Sequence, residues 1–198
     1  REDILQADTA AGLLERACLR FAERPLFVCR DETRTSYSEV WQRVERLAGA
    51  LQARGLKPQD RGGLWGFSGV DWIVADMACL YLNLVSVPVD HQITQEQFDH
   101  VQAETSMRAF FVSEEANQRL HFPDGMMVAK LDTTGNLSIK QLEDRALRCP
   151  IQKPVEGSLH SIVYTSGSTG VPKGVMLPYV RWTQTLRDGV NSPSVPRI

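Results

Sequence analysis

Residues Thr165–Gly174 hold four hydroxyl side chains, three glycines and one lysine within ten positions, a density found nowhere else in the 198-residue chain. Gly167 and Gly170 let a backbone turn sharply and come close to a ligand. Successive N–H groups in such a turn form a concavity that attracts anions. Thr165, Ser166, Ser168 and Thr169 add hydroxyl donors, and Lys173 adds a positive charge with three donors. Together they suit a polyphosphate. A Ser/Thr/Gly cluster alone more often marks a solvated turn. Here the strand-like run Ser158–Tyr164 leads in, and Pro172, Lys173 and Gly174 lead out to apolar Val175, Met176 and Leu177. A linker has no need of apolar strands on both sides.

The segment is not the P-loop of nucleoside triphosphatases, which places lysine directly after its last glycine and Ser or Thr after the lysine. Val171 and Pro172 intervene here, and Gly174 follows Lys173. Nor does the chain contain the G-x-G-x-x-G of dinucleotide-binding folds. His91, His100, His121 and His160 lack the paired spacing of metal ligands, so no metal site is expected from them. Trp41, Trp65, Trp72 and Trp182 read as packing residues. Asp90 reads as a strand end, and Glu114 and Glu115 as a solvated helix start.

Composition narrows the function classes. An apolar fraction of 42% and a charged fraction of 23% fit an ordinary globular chain, one large domain or two small ones. A net charge of −2 gives no reason to expect nucleic acid or an anionic membrane as partner. Cys18, Cys29, Cys79 and Cys149 lie far apart and read as reduced thiols, which points to a reducing, cytoplasmic setting. Leu64–Val89 is apolar-rich, but Asp71 and Asp76 interrupt it and Pro88 ends it. A spanning helix needs about 20 unbroken apolar residues, so no transmembrane segment is expected.

The elements that must position the loop alternate along the chain. A helix is expected from near Thr9 to Phe21, then a small hairpin from Leu26–Cys29 and Arg34–Ser36. Ser36 and Glu39 form a capping box for a helix with Val40, Val44, Leu47 and Leu51 on one face, stopped by Gly55 and Pro58. A strand at Gly63–Phe67, a helix capped by the Ser68–Asp71 segment and a strand at Val85–Val89 follow. Thr94 and Gln97 cap the next helix, before strands at Arg108–Val112 and Met126–Leu131. Ser138 and Gln141 cap a helix bearing Ile139, Leu142 and Ala146, and Pro150–Pro154 is the best linker candidate. The alternation predicts an α/β fold with a largely parallel sheet covered on both faces.

The Tyr164–Gly174 segment resembles the signature loop of the adenylate-forming (AMP-binding) superfamily: acyl-CoA synthetases, luciferases, peptide-synthetase adenylation domains and the adenylation domains of carboxylic acid reductases. Two upstream segments resemble the family in the same order. Thr35–Val40 is similar to its L-T-Y-x-E-L helix start, and Ala78–Asp90 to its A-x-L-K-A-G-A-x-Y-V-P-L-D segment. The resemblance implies activation of a carboxylic acid, fatty or aryl, by ATP and Mg2+ to an acyl-adenylate and pyrophosphate. Transfer to a thiol, CoA or the phosphopantetheine of a carrier protein, would follow, as in an acid–thiol ligase. It assigns ATP and pyrophosphate binding to Thr165, Ser166, Gly167, Ser168, Thr169, Gly170 and Lys173, with Lys173 catalytic through electrostatic stabilisation of departing pyrophosphate.

Two positions depart from the family pattern. Asn83 replaces a usual glycine, and asparagine tolerates left-handed backbone better than most residues. Tyr179 stands where many members have a histidine beside the acyl and phosphate groups, which makes it a candidate substrate-proximal residue. The family's later motifs, including its magnesium-associated glutamate, ribose-binding aspartate and C-terminal lysine, have no counterpart here, so the Mg2+ ligands are expected mostly outside this chain. Residues 1–198 therefore read as a partial N-terminal adenylation domain. The alternative is a non-catalytic fragment that at most binds nucleotide phosphates or a protein partner.

Overall fold

The computed structural model describes residues 2–66, 69–131, 137–144, 148–165 and 172–191. In chain order these form α1 (Glu2–Leu5), α2 (Ala10–Arg20), β1 (Pro25–Val28), β2 (Arg34–Ser36), α3 (Tyr37–Ala53), β3 (Arg61–Trp65), α4 (Val70–Tyr81) and β4 (Val85–Pro88). There follow α5 (Gln95–Thr105), β5 (Ala109–Val112), α6 (Glu114–Arg119), β6 (Met127–Lys130), α7 (Ile139–Asp144), β7 (Leu159–Thr165), β8 (Lys173–Pro178) and α8 (Tyr179–Asn191). Strands β1 and β2 pair as a separate antiparallel hairpin. The other six form one sheet in the order β6-β5-β3-β4-β7-β8. Within it only β7–β8 is antiparallel.

Both faces of the central strands are covered. One carries α3, α4 and α7, whose Val40, Val44, Leu47, Leu51, Val74 and Leu142 pack with Leu64 and Phe111 from the strands. The other carries α5, whose Phe98 and Val101 pack with Trp65, Val87, Phe110 and Val112. Burial of aliphatic and aromatic side chains at about 25 cal/mol per Å2 of apolar area is what holds helices to strands in such a layered fold. Between the helices of the first face, Arg43 of α3 meets Asp71 of α4 at 2.6 Å and Glu143 of α7 at 2.8 Å. Among the described residues no helix is long and apolar enough to cross a membrane.

Local chemistry explains most boundaries. The capping box at α3 has both arms, with Glu39 N–H donating to Ser36 Oγ at 3.2 Å and Ser36 N–H donating to Glu39 Oε2 at 2.6 Å. Thr94 and Gln97 do the same for α5. Asn83 takes φ 53°, the left-handed backbone its position requires, and its carbonyl accepts the Gln59 N–H at 2.7 Å.

Two expectations are corrected. Strand β3 begins at Arg61, two residues before the expected Gly63: Gly62 pairs with Ser86 and Ala109, and a Cβ there would lie 3.2 Å from Cys79 Sγ. A Cβ on Gly63 would lie 2.1 Å from Phe110 Cδ2, so only glycine admits that ring. Its expected far end at Phe67 lies outside the described residues. The N-cap of α4 is Gly69, with no side-chain bond, and Asp71 in its first turn accepts from Arg43. Ser68 and Ala146 also lie outside the described residues. Helices α1 and α8 have no counterpart among the elements expected from the sequence.

Candidate functional site

Strands β4 and β7 are parallel neighbours, so the segment after Pro88 and the segment after Thr165 leave the sheet at the same, carboxyl end. Open α/β sheets bind ligands outside the carboxyl ends of their strands. Strand β7 there gives way to the glycine-rich segment, and β8 returns antiparallel with Lys173 directly opposite Thr165. Ser166, Gly167, Ser168, Thr169 and Gly170 lie outside the described residues. Their two anchors do not. Thr165 and Lys173 are both exposed, and Thr165 Oγ1 lies 3.5 Å from the Lys173 carbonyl. The structure thus brings a hydroxyl and an ammonium-bearing residue together at the two ends of the segment.

A cleft of about 360 Å3 opens beside these anchors. Tyr164, Thr165 and Pro172 line its hairpin side, and Asp90, Thr94 and Gln97 line the side formed by the start of α5. The Tyr164 hydroxyl donates to Glu104 Oε2 of α5 at 2.7 Å. Burial, then the Glu104 bond and charge, push its pKa up, which keeps the phenol protonated and donating. Tyr164 therefore packs partly against the α5 face, as a strand-end residue should, and also reaches a charged partner that its place in the sequence does not reveal.

Tyr179 is not brought to this site. Strand β8 carries the chain away from Lys173, and six residues of extended backbone span about 20 Å. Tyr179 is buried at the opposite end of the hairpin, where its hydroxyl accepts the Ala11 N–H of α2 at 3.2 Å. Burial raises its pKa. The neighbouring cleft, of similar volume, is formed by Tyr179 with Asp8, Pro154, Val155, Val180 and Thr183, and contains neither loop anchor.

Among the described residues the remaining polar groups form no second centre. Cys18 and Cys79 are buried thiols, and burial pushes Cys18 up to about 12, far from the range of a reactive thiolate. His100 sits 3.5 Å from Glu104, and His160 is buried against Trp182. Among the described residues no group of three His, Cys, Asp or Glu side chains gathers to hold a metal ion.

The family model for AMP-binding enzymes matches residues 14–193. The chain belongs to the AMP-binding enzyme family. It is 33% identical over 176 residues to carboxylic acid reductase of Mycobacterium tuberculosis, an alignment covering 74% of this chain and 15% of that protein. It is 27% identical over 165 residues to long chain acyl-CoA synthetase 1 of Arabidopsis thaliana, covering 73% of this chain and 25% of that one. This family member thus spans a quarter or less of either relative. Among solved structures, the adenylation domain of the carboxylate reductase from Mycobacterium chelonae superposes with a TM-score of 0.77 at 22% identity, over 99% of this chain and 38% of that chain. At that identity the likeness establishes the fold, a mainly parallel six-stranded sheet shared with the N-terminal part of adenylate-forming enzymes.

Proposed function

We propose that this chain supplies the phosphate-binding loop of an enzyme that uses ATP to activate a carboxylic acid as its acyl-adenylate. The observation that carries the reading is the Thr165–Lys173 pair, which closes a glycine- and hydroxyl-rich segment at the carboxyl end of a parallel sheet. In that reaction the carboxylate attacks the α-phosphorus and charge builds on departing pyrophosphate. Donors fixed in advance near that charge lower the barrier. Thr165 and the donors from Ser166 to Gly170 would hold the polyphosphate, and Lys173 would meet the developing charge. Mg2+, the ion that accompanies ATP in this family, would take its ligands from outside the described residues. Onward transfer of the acyl group to CoA or to a carrier-protein phosphopantetheine accords with relatives named as a reductase and an acyl-CoA synthetase.

The test is ATP–pyrophosphate exchange by the intact protein with a panel of fatty and aryl acids. Exchange dependent on one class of acid supports the reading, and silence with every acid refutes it. Lys173→Ala is expected to slow exchange by about one to two powers of ten, the equivalent of one charge-assisted hydrogen bond. The apparent affinity for the acid should change far less. An unchanged rate would remove Lys173 from the mechanism.

A further inference from the structure

We propose that Glu104 is a positioning residue for the phosphate loop, acting through its hydrogen bond to the Tyr164 hydroxyl to fix the mouth of the β7–β8 hairpin. The inference rests on the loop being the phosphate site and adds the device that holds its two ends in place. Tyr164 is the residue before Thr165, and its cross-strand partner is Gly174, the residue after Lys173. The Tyr164–Gly174 rung is therefore the one immediately below the Thr165–Lys173 rung that closes the segment.

Two contacts fix that rung. The first is the 2.7 Å bond from Tyr164 Oη to Glu104 Oε2, which ties the end of β7 to α5, an element 60 residues away in sequence. The second is the seat of the Tyr164 ring. A Cβ placed on Gly174 would lie 3.1 Å from Tyr164 Cζ and 3.0 Å from Ile162 Cγ2, so the ring passes close across the bare backbone of β8. Held by α5 at its hydroxyl, the ring covers the β8 backbone next to Lys173. A side chain at 174 would press on the ring, which would have to give by a few tenths of an ångström.

Without the Glu104 acceptor the phenol has no fixed partner, and the ring is free to swing off Gly174. The Thr165–Lys173 rung then loses its support from below. Small displacements of groups that must face a transition state cost rate rather than fold, because orientation supplies much of the catalytic advantage. His100 Nε2 lies 3.5 Å from Glu104 Oε1, on the side of the carboxylate away from the Tyr164 bond.

The experiment compares Glu104→Leu, Tyr164→Phe, their double variant and Glu104→Gln with the wild type in the intact protein. Glutamine keeps a neutral acceptor at the same reach, so it should restore near-wild-type behaviour. In amide hydrogen exchange, Glu104→Leu and Tyr164→Phe should each speed exchange across residues 165–174, and the double variant no further. In pyrophosphate exchange each single variant should lower kcat about fivefold, the worth of one ordinary hydrogen bond, with the KM of the acid unchanged. Unaltered amide exchange in Glu104→Leu, or additive effects in the double variant, would overturn the proposal. A wild-type protein silent in pyrophosphate exchange would instead refute the enzymatic reading, and the amide measurement would still decide whether Glu104 orders the loop.

Discussion

The first three N–H groups of α2 have no partner within the helix, and each finds a side chain. Gly12 donates to Thr9 Oγ1 at 3.1 Å, Ala11 to Tyr179 Oη at 3.2 Å and Ala10 to Thr183 Oγ1 at 3.1 Å. Two of those acceptors belong to α8, so Tyr179 and Thr183 serve the start of a helix more than 160 residues away. Removing the hydroxyl in Tyr179→Phe would leave the buried Ala11 N–H unpaired. Such a loss costs about 1–3 kcal/mol, and in a chain of this size each kcal/mol lowers Tm by about 2–4 °C. The variant should melt earlier in a thermal scan, yet keep the wild-type KM for the acid in pyrophosphate exchange. A raised KM with unchanged Tm would return Tyr179 to the substrate. Thr165 and Lys173 were legible in the sequence because glycine, hydroxyl and lysine types already state their chemistry. The direction of Tyr179 was not, since packing against a distant helix decides it.

At the scale of elements, α8 shows how a helix stays hidden in a sequence and what then holds it. Tyr179, Trp182, Thr183 and Leu186 follow the i, i+3, i+4, i+7 spacing of one helical face, a signal that was present but overshadowed by the adjoining glycine-rich loop. The elements that did read clearly, α3 and α5, carry capping boxes, which act within four residues and need no tertiary information. The start of strand β3 is less legible, because Arg61 and Gly62 carry no apolar signal and take their place by pairing with β4 and β5. The docking of α8 should be sensitive to acid. Trp182 stacks on His160 of β7 with centroids 4.7 Å apart, and among the described residues His160 Nδ1 has no hydrogen-bond partner. Burial lowers the His160 pKa to about 4, against an ordinary value of 6.5. The unfolded chain therefore binds the proton more readily than the folded one across that interval. The His160 contribution is complete above pH ~6.5 and is lost as pH falls towards ~4, amounting to no more than about 3 kcal/mol. Denaturant titrations of wild type and His160→Gln between pH 7 and 4 test this. The wild-type curve should fall more steeply, and parallel curves would show that His160 is not the group responsible.

For the whole molecule, the sheet is covered on both faces over β5, β3 and β4 and left open at the β8 edge. Strand β8 ends the order β6-β5-β3-β4-β7-β8, and among the described residues no strand pairs with its outer side. All six of its residues are exposed, with Val175 at 47%, Met176 at 65% and Leu177 at 38% of full accessibility. An apolar strand with unpaired N–H and C=O groups is a template for another chain, and natural proteins blunt such edges with charge or cover. Lys173 lies at one end of the strand and Pro178 at the other, which leaves the middle unguarded. The 198-residue chain prepared by itself is therefore expected to associate, increasingly so as concentration rises. Met176→Lys places a charge at the centre of the edge without touching the buried side of β7, so it should shift the chain towards monomer while leaving its circular dichroism unchanged. Light scattering and sedimentation across a concentration series read both outcomes. A wild-type chain that remains a monodisperse monomer at high concentration would mean that the outer edge of β8 is already protected, and that its apolar residues face a partner within the same chain.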